Sequence, residues 1–445
     1  MFNLSENINT QKAFIINKSY IVNRIDPEMV LYRKKVSKFN FPVIQLGKLL
    51  SKSPQYGANE AGIDRIDAKE PRYIRITDID EYGNLINEIG KTANVVEEKY
   101  ILNNDDIIIA RSGNTVGKSY IHKSDRVDYK CFFAGYMIRF VTNFELLNPN
   151  FLFIYTQLKP YKEWVKAIQR TAGQPNINAE EYKSLEIPLP SLEIQDKFNL
   201  IYQTAYNQKL VKENQAKELL KNIDSYLLDE LDIPLPLKDS SYSNRTFEVK
   251  WSEIAGDRFD AFSFFNSAIK IEGGIYENKK LRELATVNKG QSITSSNVIE
   301  GQYPVIAGGK TSPYSHNEYN YDDKTITVSA SGAYSGYVWY HNQPIFASDC
   351  AVIKSLDENV ITMDYLSEIL KLKQTEIYGL QQGAGQPHVY PSDLIKLNIP
   401  VPPIDIQERI TTHIFELREK AKQLEMEAKE VLDNAKQEIE NMIIG

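Results

Sequence analysis

At 445 residues the chain exceeds one ordinary domain, and at about 100–200 residues per domain roughly two to four are expected. Hydrophobic residues at 42% and charged residues at 25% describe a globular protein with cores of its own, and no apolar run approaches the ~18 residues that a membrane span requires. The net charge of −7 argues against a uniformly basic nucleic-acid binder, while two cysteines, Cys131 and Cys350, exclude a disulfide framework and a cysteine-rich zinc site and fit a reducing cytoplasm.

The first residues, MFNLSENINTQKAF, have neither the basic start nor the apolar core of a secretion signal. Residues 1–190 read as a mixed α/β unit, with strands over 107–110 and 136–140 and a helix over 151–159. Gly113-Asn114-Thr115-Val116-Gly117-Lys118-Ser119 follows a strand, yet a phosphate-binding loop needs four residues between its glycines and here there are three. Asn148-Pro149-Asn150-Phe151 lacks the second proline of an amino-methyltransferase site and reads as a turn opening a helix. Ile187-Pro188-Leu189-Pro190 closes the unit.

A long helix follows within 191–232, from about Leu192 to Leu231. It opens with Ile194, Phe198, Ile201 and Ala205 and closes with Leu219, Leu220, Ile223 and Leu227, whereas Asn207, Gln208, Lys212 and Asn214 make its middle polar. Pro234 and Pro236 stop it, because proline has no N–H to give, and 233–250 reads as a linker. Residues 251–403 form a second mixed α/β unit, with strands over 325–328 and 351–353, a helix over 364–372, and turns at Gly308-Gly309 and Ser331-Gly332. The last helix, 404–445, carries an unbroken a/d seam of Ile410, Ile414, Leu417, Ala421, Leu424, Ala428, Val431 and Ala435. Asp405 with Glu408 predicts a capping-box start.

The two halves repeat each other. Gly173-Gln174-Pro175, Ile187-Pro188-Leu189-Pro190 and Gln195 recur as Gly385-Gln386-Pro387, Ile399-Pro400-Val401-Pro402 and Gln407, at a constant offset of 212. Looser echoes are Ser112-Gly113 and Gly117 with Ser331-Gly332 and Gly336, Phe133-Ala134 with Phe346-Ala347, and Arg24-Ile25-Asp26 with Arg258-Phe259-Asp260. The repeat partner of the glycine loop has no lysine, which further excludes nucleotide binding. A duplicated plan, globular unit then helix, favours pairing of the two helices, with Phe198, Ile201, Ile223, Ile410, Ile414, Leu417, Leu424 and Val431 in the seam.

His122, His316, His341, His388 and His413 show no metal spacing, and no Gly-x-Ser-x-Gly elbow is present, so recognition is expected rather than chemistry, without metal or cofactor. Reading base edges needs planar multi-donor side chains, and holding phosphates needs positive charge and free N–H groups. The first unit offers Arg72, Arg75, Arg111, Asn114, Lys118, Arg170, Gln174 and Asn176; the second offers Tyr314, His316, Tyr334, Ser335, Gln386 and His388. The Gly-Gln-Pro loops serve equally as structural turns that seat each unit on its helix. Charge is uneven: residues 1–190 carry +4, 191–240 carry −3, 241–403 carry −4 and 404–445 carry −4.

This order of units and motifs resembles the specificity (S) subunits of Type I restriction–modification systems over essentially the whole chain. The resemblance implies two target recognition domains joined by two long helices in an antiparallel coiled coil, with a pseudo-twofold internal repeat. It also implies a non-catalytic, cytoplasmic subunit that binds double-stranded DNA at a bipartite asymmetric target, two DNA adenine methyltransferase (M) subunits, and restriction (R) subunits. A helix of about 40 residues is ~60 Å long, enough to set two half-sites about one ~34 Å turn of duplex apart. A specificity component of another modification or defence assembly, and a coiled-coil scaffold with two heads for ligands other than DNA, remain the alternatives.

Overall fold

The computed structural model describes residues 27–36, 38–86, 89–169, 175–234, 271–312, 314–383 and 385–444. By compactness the chain divides into two units, Met1–Lys212 with Met426–Gly445, and Glu213–Glu425, so the division cuts both long helices.

In the first unit α1 (Pro27–Val36) leads to β1 (Val43–Gln45), β2 (Gln55–Tyr56), β3 (Ile63–Asp64), β4 (Arg72–Ile74) and β5 (Lys91–Thr92). A hairpin of β6 (Ile107–Ala110) and β7 (Ser119–Ile121) is followed by β8 (Cys131–Phe133) and β9 (Met137–Phe140). Then come α2 (Pro149–Gln157), α3 (Lys159–Ile168), α4 (Ala179–Lys183), β10 (Glu186–Pro188) and the long α5 (Leu192–Leu231). One sheet has the order β2-β9-β6-β7, a second β3-β5-β4-β8, and β1 pairs with β10. Side chains alternate across β6. Ile107 and Ile109 join the core with Phe151, Tyr155, Trp164, Tyr182 and Phe198, while Ile108 joins Ile74, Phe133 and Met137 on the other face. A sheet covered on both faces explains why this strand is a continuous isoleucine run rather than an alternating one. The Asn148 turn opens a helix as expected: its side chain accepts from the Asn150 N–H, with Pro149 at the first helical position.

The second unit repeats the plan. β11 (Asn278–Lys280), α6 (Leu281–Leu284), β12 (Ala285–Lys289), β13 (Tyr303–Ile306) and β14 (Ser315–His316) precede the hairpin of β15 (Thr325–Ser329) and β16 (Val338–His341). β17 (Phe346–Ala347), β18 (Cys350–Ser355), α7 (Met363–Leu372), α8 (Gln374–Tyr378), α9 (Pro391–Leu394) and β19 (Asn398–Pro400) lead to α10 (Ile404–Ile443). Its main sheet, β12-β18-β15-β16, matches β2-β9-β6-β7, and the pair β11-β19 matches β1-β10. The parallel pair β13-β17 answers β4-β8, with Phe346 and Phe133 at equivalent places.

Each unit pairs one part of α5 with one part of α10. In the second, Tyr226 lies 4.4 Å ring to ring from His413 and Glu230 pairs with Arg409, so position rises on one helix as it falls on the other. Ile223, Ile410 and Ile414 are buried there, Leu417 packs at the edge, and Leu424 is half-buried. In the first unit Phe198 is buried among Leu432, Ala435 and Ile439, with Ile201 and Val431 packed against them, and Lys212 meets Glu427 at 2.6 Å. Two details differ from the periodicity. Leu220 is exposed, the buried seam position being Ala216, and Lys209 in the polar stretch lies buried over the Tyr82 ring at 4.1 Å. Asp405 is not the cap: α10 begins at Ile404, Asp405 sits in its first turn beside the positive helix end, and the Gln407 N–H reaches the Pro403 carbonyl.

Candidate nucleic-acid interface

The glycine loop that resembles a phosphate cradle is the tip of an antiparallel hairpin, with a strand where a nucleotide loop would require a helix. Gly113 and Gly117 take φ of 86° and 89°, Gly332 and Gly336 take 86° and 92°, a left-handed geometry that favours glycine. The hydrogen bonds repeat as well. Gly117 N–H donates to Ala110 at 2.9 Å and Gly336 N–H to Ser329 at 2.7 Å. Gly113 N–H donates to Pro175 at 3.1 Å and Gly332 N–H to Pro387 at 3.0 Å; Ile177 N–H donates to Arg111 and Val389 N–H to Ala330. The prolines that close the two motifs, Pro175 and Pro387, are thereby stitched to their hairpin tips in the same way. A third strand end completes the surface, because Arg111 N–H donates to Tyr136 and Ala330 N–H to Asp349.

On this shared backbone the side chains differ. In the first unit the Arg111 guanidinium lies 4.8 Å from the Tyr56 ring centre, and the Tyr56 hydroxyl accepts from the Ala179 N–H. Asn114 and Asn176 are exposed beside it. Arg75 is held by a two-point pair with Asp78 at 2.8 and 3.0 Å, and Lys118 donates to the Ile79 carbonyl at 2.7 Å, so both cations are anchored. Tyr136 stands near Arg75, and burial pushes its phenol up to about 12. In the second unit Lys310 lies over Tyr334 and Tyr337 at 4.8 and 5.2 Å. Tyr334, Tyr314 and Gln386 are exposed, and His388 stacks on Tyr390 at 6.1 Å.

Three candidates are enclosed. Arg72 is 2% exposed, and its guanidinium donates to the Tyr129 hydroxyl and the Ile86 carbonyl. His316 is 6% exposed, its Nδ1 accepting from the Ile299 N–H. Ser335 is 0% exposed. A side chain closed in by protein cannot reach a base edge without local opening, so these three support the fold. Arg170, Gln174, and the Arg24 and Arg258 echoes lie outside the described residues.

Sequence reasoning assigned no role to the glutamines after the proline motifs. Gln195 and Gln407 are both 0% exposed. Gln195 Nε2 donates to the Leu146 and Pro190 carbonyls and its Oε1 accepts from the Asn148 N–H; Gln407 does the same with Val360, Pro402 and Thr362. Each therefore clamps the first turn of a long helix to the segment that opens α2 or α7. The constant offset was the available signal. Tyr56, Lys310 and Asp349 gave none, because their partners are distant in sequence.

A family model described as the type I restriction modification DNA specificity domain matches residues 59–222 and again 275–434. The specificity subunit of the type I restriction enzyme MpnII from Mycoplasma pneumoniae is 25% identical over 146 residues, 32% of this chain and 43% of that protein. That of MjaVIII from Methanocaldococcus jannaschii is 19% identical over 382 residues, 80% of this chain and 81% of that one. The chain spans about half the length of most of the Mycoplasma pneumoniae relatives it matches. A solved structure described as the structural basis of complex assembly and conformational transition of the type I R-M system shares the fold, with a TM-score of 0.52 and 15% identity over 89% of this chain and 95% of that one. Among the described residues no helix is long and apolar enough to cross a membrane. With the family model matching more than half of its residues, in two successive copies, the chain belongs to the type I restriction–modification DNA specificity family.

Proposed function

We propose that the chain reads a bipartite DNA target, one half-site per globular unit, and holds adenine methyltransferase subunits, and where present restriction subunits, on that target. One observation carries the reading: the hairpin tip and the stretch of chain from Pro175 or Pro387 that bonds to it share one backbone pattern in both units while their side chains differ, Arg111 on Tyr56 in one and Lys310 on Tyr334 in the other. A common frame with divergent side chains suits two readers of unlike sequences, since phosphate contacts position and side-chain contacts to bases specify. The proposed reading surface comprises Arg111, Asn114 and Asn176 in the first unit and Tyr314, Tyr334, Gln386 and His388 in the second, with Arg75 and Lys118 as fixed cations at the margin.

The purified chain alone is expected neither to methylate nor to cut DNA. The test is co-purification with an adenine methyltransferase, followed by mapping of the methylated motif. A two-part motif that disappears when the chain is withheld is the expected result. Methyl transfer by the isolated chain, or an unchanged motif without it, would overturn the reading.

A further inference from the structure

Resting on the reading just given, we infer that Asp349 determines specificity in the second unit by accepting a hydrogen bond from the exocyclic amino group of a cytosine or adenine. It occupies the strand end beside the hairpin tip that Tyr136 holds in the first unit, since the Asp349 carbonyl takes the Ala330 N–H as the Tyr136 carbonyl takes that of Arg111. Its side chain is exposed, and the Ser331 hydroxyl donates to Oδ2, which fixes the carboxylate on the tip. Gly308 packs closely against it: a Cβ there would stand 3.3 Å from Oδ2 and 2.4 Å from the Ser331 carbonyl, so only glycine allows this backbone to brace the Ser331–Asp349 pair. Among the described residues no ion pair neutralises Asp349, although the neighbouring Lys310 and the tyrosines beneath it form the same tip.

A lone carboxylate on a surface that approaches phosphates is repelled by them. It is tolerable only where it meets donors, and the donors on major-groove base edges are the amino groups of cytosine and adenine. The acid that makes this unit an unusual DNA reader is, at this position, a reading group. The equivalent place in the first unit offers the Tyr136 phenol, which can donate as well as accept, where Asp349 can only accept, so the two units present different hydrogen-bond capacities from one frame.

The test uses the full chain in complex with its methyltransferase partner. Duplexes carry, one position at a time, purine for adenine or pyrimidin-2-one for cytosine in the half-site read by the second unit, which removes a single amino group. The wild type should lose about tenfold or more in affinity at one position, in keeping with a good base contact. Asp349→Ala should show no loss there and should respond normally everywhere else. Ser331→Ala, which keeps the charge and frees its orientation, should retain the response at reduced size. The proposal is overturned if the penalty persists in Asp349→Ala, if no single position responds, or if that variant weakens on all duplexes alike, which would make the carboxylate a structural brace of the hairpin. A wild-type complex with no sequence preference at all would instead sink the functional reading.

Discussion

Where the first unit packs Ile154 and Tyr206 between its globular part and the long helix, the second places Glu368 and Arg418 at the equivalent positions. Glu368 is 7% exposed and takes two bonds from Arg418, at 2.7 and 2.6 Å, and one from Lys371 at 3.1 Å. Beside it Asp364 pairs with Lys324 and accepts from Tyr340. The cleft at this junction holds about 450 Å³ in the first unit and about 410 Å³ in the second. In the first, among the described residues, the Tyr202 hydroxyl and Asn199 Oδ1 have no partners, whereas in the second Asp364, Glu368 and Arg418 are paired. The two copies thus share the end-on glutamine clamp and differ in the lateral contact, aromatic and apolar in one and ionic in the other. The constraint lies in holding the helix start, and the chemistry of the flank is free to change.

The largest expected effect tests the shared part. Gln195→Leu and Gln407→Leu each remove three bonds and leave an N–H and two carbonyls unpaired in the interior, costing about 3 kcal/mol in the affected unit. Hydrogen exchange read by mass spectrometry should show equal loss of protection in the two cases, each confined to its own unit. Unequal losses would mean that the clamp does not do the same work twice.

Glu368→Ala should cost about 2 kcal/mol, below the range for a fully buried pair because Arg418 is 39% exposed and can rehydrate. Acid should separate the units in the same way. Burial works to raise the Glu368 carboxyl, but Arg418 and Lys371 outweigh it and hold it below its ordinary value; Asp364 is held low likewise by Lys324 and Tyr340. Groups with lowered values stabilise above their unfolded range and lose that contribution as pH falls through their folded range, so the second unit should loosen below about pH 4. Asp224, raised by burial and by Glu368, opposes this in part. In the first unit Glu186 is raised by burial, so acid relieves rather than adds to its cost. Exchange protection followed from pH 6 down should therefore fall first in the second unit; simultaneous loss would contradict the ionic account of its junction. The smallest effect belongs to Lys212→Ala, which removes a partly exposed pair with Glu427 and should cost about 0.5 kcal/mol, within reach of a thermal melt.

Much of this architecture was legible in the sequence because it is periodic or repeated. The bounds of α5, the Ile410 and Ile414 seam, the β6 isoleucine run and the helix opened by Asn148 all follow from local rules. What misled were polar residues whose partners lie far along the chain. Arg72 and His316 look like surface donors, yet Tyr129 and Ile299 close over them. Lys209 sits in a stretch that periodicity marks as solvated, and only the tertiary placement of Tyr82 reveals a buried cation. The Asp405 and Glu408 spacing suits a cap, yet Pro403 supplies the first carbonyl of the helix and leaves Asp405 inside its first turn. The candidate surface was half visible: the repeated glycines and Gly-Gln-Pro marked the frame, while Tyr56, Lys310 and Asp349 required the fold to bring them to it.

The central claim, that one frame carries two independent readers, is tested most directly by exchanging residues 25–185 for the corresponding segment of a relative. The hybrid is expressed with the methyltransferase partner, and the methylated motif is mapped across a genome. One half-site should change, with the other half identical base for base. Altered bases in both halves of the motif would contradict the account.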